Sequence, residues 1–93
     1  MTKHFKILSI KEDHEIGQIE FNNETKVLQI HLIETSDQKF HQAIAKILEN
    51  ILLERGLSQE FDQKNLLLNN IDESFLSQLK QELAIMLKIR MES

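Results

Sequence analysis

A chain of 93 residues, 41% hydrophobic and 28% charged, suits one domain over residues 1–93 and is too apolar for disorder. The absence of cysteine excludes disulfides, thiolate metal sites and cysteine nucleophiles. Met1 to His14 lacks a signal-like apolar region and no apolar run approaches ~18 residues, so a cytoplasmic protein is expected, and the net charge of −4 argues against a general nucleic-acid binder.

His4 to Ile10 reads as a strand rich in Phe, Ile and Leu. Phe5 and Ile7 point one way and Leu8 and Ile10 the other, which suits a central position. A polar turn follows over Lys11–Glu15. Ile16 to Phe21 is a second strand, with Gly17, Ile19 and Phe21 on one face. Lys26 to Ile33 is a third, with Leu28, Ile30 and Leu32 together. Asparagine tolerates turn conformations, so Asn22–Thr25 connects the two. A two-residue loop at Asn23-Glu24, or a four-residue loop over Asn22–Thr25, sets Ile19 opposite Leu28 and joins both apolar sets on one face. The expectation is a three-stranded antiparallel meander with one face to be covered.

The strongest pattern runs from Asp37 to Gly56. At 100° per residue, Ala43, Ile44, Ile47, Leu48, Ile51 and Leu52 share one half of a helix with Phe40, and Lys39, Gln42, Lys46, Glu49 and Asn50 share the other. Thr35 with Gln38 has capping-box spacing. Gly56 provides a stop, after which Leu57 folds back on Leu52. Leu57 to Ile71 is harder to assign. Ser58 has the position to cap a short helix through Lys64, with Leu57 and Phe61 inward, and Leu66-Leu67-Leu68 reads equally as a strand or an extended segment. Asn70 or Asp72 then caps a second long helix to about Met91, with Phe75, Leu76, Leu79, Leu83, Met86 and Leu87 as its core stripe. Ile85 and Ile89 fall outside the stripe, on a flank shared with Ile71. The expected fold is α+β: the meander, then two long helices packed on its apolar face.

No chemistry-bearing motif emerges. His4, His14, His31 and His41 lack metal-ligand spacing, and there is no phosphate loop, nucleophile elbow or dinucleotide fingerprint. Ser36, Ser58 and Ser74 sit at expected helix starts, where capping accounts for them. We therefore expect neither catalytic residues, metal nor cofactor. What remains is surface: the acids Glu12, Asp13, Glu15, Glu20 and Glu24, with no base among residues 12–24, an isolated Leu53 on the polar side of the first helix, and the Ile85/Ile89 flank. These nominate a non-catalytic protein-binding module, a small acidic inhibitor of a basic target of the immunity, antitoxin or phage-encoded kind. The alternative is a self-associating structural or regulatory protein, a homodimer through Ile85 and Ile89 of the C-terminal helix. A DNA-binding regulator, using Lys3, Lys6, Lys88 and Arg90, is the remaining class.

Overall fold

The computed structural model describes residues 2–10, 14–33, 38–57, 59–61 and 66–92. Along the chain come β1 (Thr2–Ser9), β2 (Glu15–Asn22), β3 (Val27–Leu32), α1 (Gln38–Glu54), β4 (Leu66–Leu68), α2 (Glu73–Glu82), a π-helical turn (Leu83–Leu87) and β5 (Ile89–Glu92). The strands form one antiparallel sheet in the order β4-β3-β2-β1-β5. The α+β class and the meander stand as expected. The sheet is wider than three strands, because Leu66–Leu68 joins β3 and the chain's end joins β1.

The hairpin between β2 and β3 keeps the expected face but not the expected partners. Ile19 pairs with Ile30 and Phe21 with Leu28, two residues from the anticipated register. Asn22 causes the shift. Its side-chain Oδ1 accepts from the N–H groups of Glu24 (2.9 Å) and Thr25 (3.2 Å), and Lys26, at φ 61°, donates to the Asn22 carbonyl at 2.8 Å. The loop thus occupies residues 23–26. A slip of two leaves side-chain parity intact, so Ile19, Phe21, Leu28 and Ile30 still share the buried face.

That face also carries Ile7, Leu66, Leu68, Ile89 and Met91, all buried. Ile16 joins them although its neighbour Gly17 is also inward. Ile7 pairs with Gly17 and Leu8 with Glu15, so Ile16 is the extra residue of a β-bulge. Helix α1 covers the sheet with Ile44, Ile47, Leu48, Ile51 and Leu52, and α2 with Phe75, Leu76, Leu79 and Leu83. The α1 exit is the expected one. Gly56 (φ 68°) donates to Leu53 O at 3.2 Å and Leu57 to Leu52 O at 2.8 Å, a Schellman ending. The Thr35 capping box and the Ser36 and Ser58 caps lie outside the described residues. Residues 59–61 are not helical, and Leu57 and Phe61 pack partly buried against the core as expected.

Asp72, not Asn70, caps α2. Its Oδ1 accepts from the Phe75 N–H at 2.9 Å, while Asn70 takes a left-handed turn position at φ 61°. Asp72 is also part of a clasp between the helices. Arg55, just past α1, donates to Gln78 Oε1 (2.9 Å), Ser74 Oγ (2.7 Å) and the Ser74 carbonyl (3.0 Å), and its guanidinium lies 5.7 Å from the Phe75 ring centroid. The Ser74 hydroxyl and the Phe75 amide donate to the Asp72 carboxylate, and with Arg55 nearby they hold its pKa below the usual aspartate value. A group more acidic in the folded state stabilises at neutral pH and loses that contribution as pH falls through its folded value. Asp72→Ala should cost ~1 kcal/mol at pH 7, and the gap from the parent should shrink below about pH 4 in pH-dependent thermal melts.

The end of the second helix departs most from expectation. The α2 pattern widens into a π-turn, closed by the Lys88 N–H to Leu83 O, and Lys88 itself adopts a left-handed conformation (φ 53°, ψ 47°). The chain reverses there and leaves as β5. Met86, expected in the core stripe, is 63% exposed; Ile89, expected on a helix flank, is fully buried.

Candidate interaction surface

The two helices cover one face of the sheet, and the other is open. Along it stand Thr2, His4, Lys6, Gln18, Glu20, Gln29, His31, Leu67, Arg90 and Glu92, alternate residues of the five strands. Glu20 sits at its centre. His4 Nδ1 lies 3.8 Å from Glu20 Oε1, and His31 Nε2 lies 3.7 Å from Oε2. Among the described residues no three His, Asp or Glu side chains are arranged to hold a metal ion.

Among the described residues, the acids Glu15, Glu20 and Glu24 do not form one surface. Glu15 opens β2, Glu20 lies midway along it, and Glu24 lies in the turn beyond its far end. At ~3.3 Å per residue, Glu15 and Glu24 are separated by the length of the strand, which corrects the reading of one acidic hairpin end. Glu12 and Asp13 lie outside the described residues. Glu15 is half-buried, and its Oε1 is buried without a hydrogen-bond partner among the described residues.

A different grouping appears at the end of the sheet where Glu15 sits. The Ile10 N–H donates to Lys88 O (2.9 Å), Ser9 N–H to His14 O (2.9 Å) and Ile33 N–H to Ile16 O (2.9 Å). These bonds bring the end of β1, the start of β2, the end of β3 and the exit of the π-turn to one rim. Ile10 (50%) and Ile33 (37%) are exposed on it, and Ile85 (78%) and Met86 (63%) are exposed in the π-turn that leads to it. Leu8, half-buried on the open face, pairs with both Glu15 and Arg90. The described residues of the rim thus include exposed isoleucine side chains and, at the start of β2, a poorly solvated carboxylate.

Of the residues singled out from the sequence, Ile85 and Glu15 belong to this rim. Leu53 is 63% exposed on α1, in line with its place on the polar side. Ile89 is withdrawn as a surface residue: it pairs with Ser9, and its side chain faces the helices. Sequence reasoning missed Ile10, Ile33 and Met86. The signal for Met86 was the polar–apolar alternation Lys88-Ile89-Arg90-Met91-Glu92, which marks a strand and therefore an earlier helix end. Elsewhere, a groove of about 430 Å³ runs between α1 and residues 59–61, along Gln42, Ala45, Lys46, Glu49, Gln59 and Phe61.

The fold is therefore a small α+β sandwich of one five-stranded antiparallel sheet and one helical layer, with an open sheet face. Among the described residues no helix is long and apolar enough to cross a membrane. Comparison with protein-family models finds no match, and comparisons with curated proteins and with solved structures find none either.

Proposed function

We propose that this chain is a non-catalytic, cytoplasmic protein-binding module, an acidic inhibitor that occludes a basic site on another protein, of the immunity, antitoxin or phage-encoded kind. The observation that carries this reading is one end of the sheet, where Ile10 and Ile33 are exposed at the ends of β1 and β3, Glu15 is half-buried at the start of β2, and the exposed Ile85 and Met86 lie in the π-turn that leads there. Exposed apolar side chains gathered at one place favour association with another surface. A half-buried carboxylate lacking a donor favours a partner that brings lysine or arginine, because pairing there recovers the cost of its desolvation. The net charge of −4 adds steering toward such a partner.

The test uses the chain as bait in lysate of its native cell, with the captured protein then purified and its affinity measured. Ile85→Asp should weaken binding by ~10-fold or more, with an unchanged melting curve, because it puts a charge in the centre of a desolvated contact. Raising salt should slow association. A captured partner that is acidic, or one whose affinity ignores both Ile85→Asp and salt, would overturn the reading.

A further inference from the structure

We propose that the outer edge of β5 pairs with the β5 of a second copy of this chain, joining two sheets about a two-fold axis through Met91. The sheet has two edges, and they differ. At the β4 edge the strand is three residues long, and just beyond it the Gln59 amide donates to Asn69 O at 2.7 Å and accepts from Asn69 N–H at 2.9 Å. That side chain takes the place of a neighbouring strand. At the β5 edge no described side chain bonds to the outward backbone groups of Ile89 and Met91 in this way.

Which groups point outward follows from the register. Lys6 pairs with Glu92, Leu8 with Arg90, and the Ile10 N–H reaches Lys88 O. Antiparallel ladders alternate, so Lys88, Arg90 and Glu92 turn their N–H and C=O groups toward β1, and Ile89 and Met91 turn theirs away. A second strand must then match outward groups with outward groups. Among such registers, Met91 opposite the partner's Met91 sets Arg90 opposite the partner's Glu92 and Glu92 opposite the partner's Arg90. These fall at the non-hydrogen-bonded positions, where facing side chains approach most closely. A slip of two residues either way sets Arg90 against Arg90 or Glu92 against Glu92. The charge pattern therefore complements itself in one register and repels its neighbours.

Arg90 Nε lies 3.1 Å from Glu92 Oε1 within one chain, at 48% and 49% exposure, and pairing across the axis exchanges this contact for the same one with the partner's side chains. Charges on an edge strand deter unmatched strands, which makes a second copy, with its matched charges, the favoured occupant. This inference stands apart from the inhibitor reading, which uses the rim rather than the edge.

The experiment is sedimentation velocity on the full chain from low to high micromolar concentration. A monomer–dimer equilibrium is expected. R90E alone and E92R alone should each weaken it about tenfold, since each sets like charges across the axis twice. The double variant R90E/E92R should restore it, and an equimolar mixture of R90E with E92R chains should form a heterodimer tighter than either homodimer. Circular dichroism melts check that each variant is folded. A chain that stays monomeric throughout, or a dimer indifferent to both single reversals, would overturn the proposal.

Discussion

Gly17→Ala should lower stability by about 3 kcal/mol, or roughly 12–24 °C in Tm for a domain of this size. A Cβ at Gly17 would lie 2.2 Å from the backbone carbonyl oxygen of His31 and 3.0 Å from Leu32 Cα. Neither atom belongs to a flexible side chain, so the strands themselves must part. The position is also next to the bulge at Ile16, where the change from Gly17 opposite Ile7 to Glu15 opposite Leu8 re-aims β2. Forcing β2 and β3 apart there disturbs the bulge, the pairing with Leu32 and the burial of Ile16 and Ile19 together. Gly56→Ala is the control. Nothing lies within 4 Å of its added Cβ, and only the φ of 68° is strained, so a loss near 1 kcal/mol is expected. Thermal or urea unfolding of the two variants side by side reads the contrast. Equal losses would show that β2 and β3 do not approach as closely as described.

The second large effect separates Ile89 from Ile85. On one continuous helix these residues are four apart and share a face, so lysine at either would have similar consequences. In the structure Ile85 is 78% exposed on the π-turn and Ile89 is fully buried in β5. Ile89→Lys buries an unpaired ammonium among Ile7, Met91 and their neighbours and should cost ~4 kcal/mol or more, enough to leave much of the chain unfolded at 37 °C. Ile85→Lys should change stability by no more than ~0.5 kcal/mol. Denaturant titration followed by circular dichroism measures both. Comparable destabilisation by the two variants would return the C-terminus to a helix.

How much of this was legible from the residues depends on the length of each pattern. The α1 stripe from Phe40 to Leu52 repeats over four turns and ends in Gly56-Leu57, so periodicity and punctuation agree, and helix and exit follow. The alternation of Gly17, Ile19 and Phe21 and of Leu28, Ile30 and Leu32 fixes which face of β2 and β3 is buried. It does not fix which residues face each other, because parity is blind to a slip of two. The Asn22 side chain decided that, by choosing where the turn begins. Leu66–Leu68 is too short for periodicity to separate strand from extended segment. At the C-terminus the residues Leu83, Met86 and Leu87 satisfy a helical reading while Ile89 and Met91 satisfy a strand, and the switch rests on one left-handed residue, Lys88. Non-glycine residues adopt that conformation at a cost that only tertiary contacts repay, and those contacts are with β1, some eighty positions away in sequence.

The rim was hidden for the same reason. Ile10 and Ile33 are distant in sequence and share one end of the sheet through β2, and the π-turn with Ile85 is carried to that end only because β5 returns beside β1. Of the acids, Glu15 was visible as a charge, but its half-buried setting depends on how β2 bulges against β1. Both the proposed inhibitor surface and the proposed β5 edge thus rest on the chain reversing at Lys88.

That reversal can be read directly by nuclear Overhauser effects in the labelled protein. The register of β1 with β5 predicts close Hα–Hα pairs between Ser9 and Ile89 and between Ile7 and Met91, with helical i to i+3 contacts ending by Leu87. Helical contacts running unbroken from Leu83 to Met91, with no cross-strand pair to Ile7 or Ser9, would contradict it.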